Sequence, residues 1–203
     1  APGTGKSMLA TSLATRLGIN KVISTDSIRE IMRLAFSNDL LPTLFHSTTE
    51  AWKGLPMEFQ SSEQLIAGYC LQANQVSLGV RAVVERTVEE GENLIVEGVH
   101  LVPFLHEIAK KEMVDAYHIP ITLSIMNEKH HRERFSERGT KNLRKIENFY
   151  LERFDGIRSI HEYTLTQCET DEVEVFDNED LDETLNLIIQ FSIQRLFKQV
   201  NSE

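Results

Sequence analysis

The chain opens Ala1-Pro2-Gly3-Thr4-Gly5-Lys6-Ser7, which has the spacing of a phosphate-cradling loop, G-x-x-x-x-G-K-[ST], lacking only a glycine immediately before Ala1. In such a loop the backbone N–H groups around Gly3, Thr4, Gly5 and Lys6, together with the positive end of the following helix, hold a β-phosphate. Lys6 would reach the β- and γ-phosphates and Ser7 would ligate Mg²⁺, so the motif implies ATP as donor. The plainer alternative is a glycine-rich turn that caps a helix.

Asp26, Arg29 and Arg33 fall at offsets of 0, 3 and 7, which places them on one face of a helix. A carboxylate there can accept the proton of an attacking hydroxyl, while two guanidiniums hold an anionic acceptor in a fork geometry that lysine lacks. The alternative is an N-cap aspartate followed by solvated arginines. Glu97 closes the apolar run Leu94-Ile95-Val96 and is the candidate for the metal side, holding the water shell of Mg²⁺ near Ser7. A strand-end carboxylate satisfied by neighbouring backbone would look the same. His100 could touch an acceptor, although a lone histidine beside Pro103 and Phe104 is more often packing.

Arg134 and Arg138, four apart, could close over the nucleotide as a lid and neutralise the transferring phosphoryl group; a solvent-facing charged helix is the competing account. Adjacent helical residues point about 100° apart, so the pair His130-His131 is poorly placed to share one ion and reads as solvated polarity. The hydroxyl-rich stretch Leu41 to Lys53 could wall an acceptor pocket, with Thr43 and Lys53 as contacts, or form a surface loop anchored by Trp52.

These groups need elements to bring them together. Ser7 to Leu17 repeats leucine at helical spacing and Gly18 supplies a stop. Lys21 to Ser24 predicts a short buried strand, Thr25 to Phe36 a helix, and Phe45 to Lys53 a short polar helical excursion. Ser61 to Glu90 predicts a long helix, Asn93 to Val99 and His118 to Ile125 two further strands, and Glu128 to Glu137 a charged helix. Leu143 to Cys168 predicts a second long helix, Val173 to Phe176 a last strand, and Asp180 to Phe197 a closing helix capped by Asp180 or Asn178. Four strands alternating with helices, plus a first strand expected ahead of the loop, predict an α/β fold: a five-stranded parallel sheet with helices on both faces, in one domain over residues 1–203. Ligands gather at the carboxyl ends of such strands, which selects the loop, Asp26, Glu97 and the helix after the third visible strand. The same reasoning expects residues upstream of Ala1. An edge left open by the first strand argues against independent folding of residues 1–203.

The 203 residues carry 21 Lys+Arg against 31 Asp+Glu, a net charge of −10, which argues against a duplex-coating nucleic-acid binder or a protein of anionic membrane surfaces. Two cysteines without ligand spacing suggest neither disulfide framework nor zinc site, and a cytoplasmic setting is the default. No run approaches the length of a membrane span. Oligomeric state stays open, a homo-oligomer included.

The strings Ile23-Ser24-Thr25-Asp26-Ser27-Ile28-Arg29-Glu30-Ile31-Met32-Arg33, Leu41-Pro42-Thr43-Leu44, Ala51-Trp52-Lys53, Val96-Glu97-Gly98-Val99-His100-Leu101-Val102-Pro103 and Ile157-Arg158-Ser159-Ile160-His161 resemble the 2-phosphoglycerate kinase family over nearly the whole chain. The resemblance implies a P-loop kinase of the nucleoside-monophosphate-kinase-like type. It would phosphorylate the 3-hydroxyl of 2-phosphoglycerate with ATP and Mg²⁺ to give 2,3-bisphosphoglycerate, and an ATP-cone-like region would precede the loop. It assigns Lys6 and Ser7 to the donor site, Asp26 to acceptor activation, Arg29 and Arg33 to the acceptor's anionic group, and Arg134 and Arg138 to the lid. A related branch resembles mevalonate-3-phosphate 5-kinase, whose acceptor is also a phosphorylated hydroxy acid. Two other readings stay open: a regulatory module that binds nucleotide without phosphorylating an acceptor, and a toxin-type kinase of nucleotide sugars.

Overall fold

The computed structural model describes residues 1–56, 63–102, 116–136 and 144–200. Helix α1 (Lys6–Leu17) runs straight out of the opening loop and stops at Gly18, whose left-handed backbone lets its N–H reach the Ala14 carbonyl. Strand β1 (Lys21–Ser24) leads directly into α2 (Thr25–Ala35), with the Ser24 hydroxyl accepting from the Asp26 N–H at 3.2 Å as N-cap. Two 3₁₀ segments, Pro42–Phe45 and Thr48–Gly54, replace the expected polar helix and lie against the long α3 (Gln64–Glu89). Then come β2 (Leu94–Glu97), β3 (Ile121–Ser124), α4 (Glu128–Ser136), α5 (Arg144–Glu152), α6 (Phe154–Thr170), β4 (Glu174–Asp177) and α7 (Leu181–Val200).

The α/β class and parallel strand direction agree with the sequence expectation, but the strands pair differently. β1 pairs with β2 in register Ser24 opposite Glu97, and β3 pairs with β4 in register Ser124 opposite Asp177. Among the described residues there are thus two parallel pairs, not one five-stranded sheet. The register matters chemically, because it sets the start of α2 beside Glu97 and ends both pairs where the loop lies. The expected single helix from Leu143 to Cys168 is broken at Arg153, whose guanidinium turns back to donate to the Phe149 carbonyl at 3.1 Å and lies over the Phe149 ring.

Among the described residues four apolar clusters fix these elements, one of them joining Phe135 of α4 to Phe154 and Ile157 of α6. Leu9 and Leu13 of α1 pack with Leu123, Leu185 and Ile188, clamping the helix behind the loop against β3 and α7. Ile28 and Met32 of α2 meet Leu44 and Val76, and Tyr69 and Ala73 of α3 meet Val99, Val102 and Ile160. Burial at roughly 25 cal/mol per Å² of apolar surface is the main force holding loop, α2 and β2 in one frame. No helix among the described residues is long and apolar enough to cross a membrane.

Candidate phosphoryl-transfer site

The opening loop turns through left-handed backbone at Gly3 (φ 82°) and Gly5 (φ 84°), and no side chain caps the first turn of α1. Its outer side is closely packed: a Cβ on Gly3 would stand 2.5 Å from the Phe135 ring and 2.9 Å from His131 Nε2, and one on Gly5 would stand 2.6 Å from Asn178 Nδ2. Two carbonyls are gripped from that side. Asn178 Nδ2 donates to Thr4 O at 2.8 Å, and His131 Nε2 pairs with Pro2 O at 2.8 Å. A carbonyl oxygen can only accept, so Nε2 of His131 carries the proton and Nδ1 is left to accept from Arg158 Nη1 at 3.5 Å. With Pro2 O and Thr4 O tied outward, the loop presents its N–H groups to the other side, as anion binding requires. Lys6 Nζ bonds Ala1 O and lies 3.4 Å from Thr4 Oγ1.

Ser7 Oγ donates to Glu97 Oε1 at 3.0 Å across 90 residues of sequence. Both are hard oxygen donors, and Mg²⁺ takes one or two protein oxygens with water and phosphate completing its shell, so this pair fits the ion. Among the described residues no group of three or more His, Cys, Asp or Glu side chains is arranged to hold a metal.

Loop, metal pair and α2 open on one cleft of about 410 Å³, whose walls include Gly3, Gly5, Lys6, Ser7, Asp26, Arg29 and Glu97. The far wall is Ser47, Thr48 and Thr49 with Phe149, Tyr150 and Ile157. Arg29 reaches this cleft anchored by Nη1 to His46 O at 2.6 Å and Nη2 to Glu30 Oε1 at 3.0 Å. The structure therefore brings together Gly3, Gly5, Lys6, Ser7, Asp26, Arg29 and Glu97, while Thr4 is fully buried beneath the loop.

Other residues singled out by sequence are placed elsewhere. Arg33 lies seven residues along α2 from Asp26, a rise of about 10 Å, and is committed to both Glu30 oxygens at 2.9 Å and to the Phe45 ring. Thr43 is fully buried, its hydroxyl donating to Gln75 Oε1 at 2.5 Å, and Lys53 pairs with Glu50 at 2.6 Å. Glu50 is held down to about 2 by hydrogen bonds from Lys53 and Arg153. His100 is 1% exposed and faces Thr25 and Gln72 instead of the cleft. Arg134 does stand beside the loop, bonding Asn178 O and, at 3.0 Å, Glu179 O. Arg138 lies outside the described residues.

Sequence reasoning missed the brace behind the loop. His131 was expected in solvent beside His130; it is fully buried, and desolvation pushes its pKa down to about 4. Phe135, at helical spacing from His131, was the signal that one face of α4 turns inward. His161, whose Nε2 contacts Ser124 Oγ at 3.0 Å, is likewise pushed down by burial to about 3. Asn178 had no sequence signal beyond capping.

A family profile described as AAA domain matches residues 1–155. The chain is 37% identical over 201 residues to the 2-phosphoglycerate kinase of Methanopyrus kandleri, covering 98% of this chain and 60% of that protein. It is 37% identical over 203 residues to the enzyme of that name from Methanocaldococcus jannaschii, covering 100% of this chain and 64% of the relative. To the 2-phosphoglycerate kinase of Pyrococcus furiosus it is 40% identical over 189 residues, 93% of this chain and 60% of the relative. The resemblance carried by the strings at Ile23, Leu41, Ala51, Val96 and Ile157 is thus borne out across nearly the whole chain, which itself spans 60–64% of the length of these relatives. No solved structure matches it.

Proposed function

Because the chain belongs to the AAA-domain family, we propose that it is the catalytic core of a kinase that transfers the γ-phosphoryl of MgATP to the 3-hydroxyl of 2-phosphoglycerate, giving ADP and 2,3-bisphosphoglycerate. The observation that carries this is the shared cleft: the phosphate loop with Lys6 and Ser7 forms one side, and Asp26 with Arg29 forms the side from which an anionic alcohol would approach. A nucleotide switch needs no carboxylate and guanidinium opposite its phosphates. Similarity to relatives named 2-phosphoglycerate kinase supports the choice of acceptor.

In this reading the loop N–H groups and Lys6 hold the β- and γ-phosphates, and Arg29 holds the acceptor's anionic groups. Asp26 accepts the proton as the acceptor oxygen bonds to the γ-phosphorus and the bond to the β–γ bridging oxygen breaks, leaving ADP. Mg²⁺, held by Ser7 and Glu97, supplies charge neutralisation at the phosphate oxygens. Arg134, beside Gly5 and α7, adds positive potential where the leaving group forms. Holding both reactants in one cleft supplies most of the acceleration.

The test is ADP release by the full-length protein with 2-phosphoglycerate, mevalonate 3-phosphate, nucleoside monophosphates and a nucleotide sugar as acceptors, repeated with Asp26→Asn. Stimulation by 2-phosphoglycerate that disappears in the variant while ATP still binds is expected. Stimulation only by nucleotides or nucleotide sugars, or full turnover in the variant, refutes the assignment.

A further inference from the structure

Behind the acceptor side of the cleft lies a buried hydrogen-bond chain whose direction is fixed at every link. Gln72 of α3 is fully buried, and its Nε2 donates to two carbonyls of the wall segment, Thr43 O at 2.6 Å and His46 O at 3.1 Å. Those acceptors settle which end of the amide is nitrogen, so Oε1 faces His100 Nε2 at 3.1 Å. An amide oxygen only accepts; His100 Nε2 must therefore carry the ring proton. Nδ1 is left as an acceptor and takes the Thr25 hydroxyl at 2.9 Å. Burial, then the charges of Arg29 and Lys6, push the His100 pKa down to about 3, so the ring is neutral and the tautomer holds.

Both ends of the chain reach groups of the cleft. Thr25 directly precedes Asp26 at the start of α2. His46 O accepts from Gln72 and also from Arg29 Nη1 at 2.6 Å, so the same carbonyl anchors the relay and the guanidinium. Asp26 itself is 3.9 Å from His100 Nδ1, too far for a hydrogen bond, and that nitrogen is already occupied by Thr25. This excludes His100 as a proton partner of Asp26 and, with 1% exposure, as a substrate ligand.

We propose that Gln72 and His100 are positioning residues: a single-tautomer relay from Thr25 to the Thr43–His46 segment that sets the spacing of Asp26 and Arg29 and so tunes the site to its small anionic acceptor. This rests on the phosphotransferase reading above. It deepens that reading by assigning acceptor affinity to two side chains that never meet the acceptor, on elements separate from the phosphate loop. Donor binding, built on Lys6, Ser7 and the brace at Pro2 and Thr4, does not pass through the relay.

Gln72→Met and His100→Leu each remove the chain, and the full-length protein is assayed for both Michaelis constants, singly and combined. Each variant is expected to raise the acceptor KM about tenfold, as breaking a buried hydrogen bond does, with ATP KM within about twofold and the double variant no worse than either alone. Equal rises in both constants, or additive rises in the acceptor KM, overturn the relay and leave only a packing role. Because these variants can lose fold, the wild-type His100 ring is also read by long-range ¹H–¹⁵N correlation, its signal assigned with His100→Gln. A neutral Nε2–H ring between about pH 5 and pH 8 is expected; an Nδ1–H or doubly protonated ring overturns the proposal. If the wild type turns over no acceptor in the panel, the phosphotransferase reading falls and the ring tautomer alone decides the relay.

Discussion

A buried neutral histidine makes stability fall with pH in a way that can be worked out in advance for His100. Its pKa is pushed from the ordinary 6.5 down to about 3 in the folded state, by burial first and by Arg29 and Lys6 after it. The folded chain therefore resists protonation while the unfolded chain accepts it, so the stability from this residue is complete above the unfolded value and drains away as pH falls toward the folded one. At about pH 5 the unfolded imidazole has gained roughly 2 kcal/mol that the folded one has not, from about 1.5 units at 1.36 kcal/mol each. By about pH 3 the loss approaches 5 kcal/mol as an upper figure. His100→Gln removes the titrating group without emptying the site. Urea unfolding of wild type and variant near pH 7.5 and pH 5 should show the wild type losing about 2 kcal/mol more, a midpoint shift of the order of 1 M. His131 and His161 titrate in both proteins and cancel in the comparison. Parallel losses, or a larger loss in the variant, would refute the buried neutral ring at this position.

Two further outcomes check the loop and the β2 exit. Asn178→Ala leaves Thr4 O without its 2.8 Å donor; at about 1.4 kcal/mol the ATP KM should rise about tenfold with acceptor KM unchanged, and a change in ATP KM below twofold would remove Asn178 from the brace. Gly98 sits at φ 150°, and a Cβ there would run into the Thr25 hydroxyl, so Gly98→Ala should lower the melting temperature by about 4–8 °C for roughly 2 kcal/mol. An unshifted melting curve would show that the strand exit can yield.

How far the sequence reached depended on whether a residue's role was local. Lys6, Ser7, Asp26 and Glu97 were legible because each stands at a strand or helix end that short-range patterns mark, and parallel strands deliver such ends to one edge. Arg29 was legible by helical spacing, but the same spacing put Arg33 on the acceptor list without weighing its distance along the helix. Thr43 and Lys53 were chosen for their chemistry, and the 3₁₀ turns at Pro42 and Thr48 reversed the matter by burying Thr43 and turning Ser47, Thr48 and Thr49 to the cleft. Gln72 read only as one polar position on the apolar face of α3. Its partners lie 26 to 29 residues away, and no periodicity encodes which carbonyls a buried amide will find.

The buried histidines and the cleft's cations form one electrostatic design. Lys6 contributes to lowering the pKa of His100, His131 and His161 alike, and Arg29 or Arg158 adds to it in each case. In every one of the three, however, burial is the largest cause. In the proposed reaction, arriving phosphates would cancel the cationic share and leave the desolvation share in place, so His131 and His100 would stay neutral and keep the tautomers that Pro2 O and Gln72 Oε1 demand. Neutral donors can then shape the loop and the acceptor wall without competing for the anions. In that proposed reaction the positive charge that would meet phosphate stays on Lys6, Arg29 and Arg134, whose side chains reach the loop or the cleft wall. A charged histidine in the relay would spoil both properties, which is why the pH dependence of His100 and the acceptor KM of Gln72 variants report on the same arrangement.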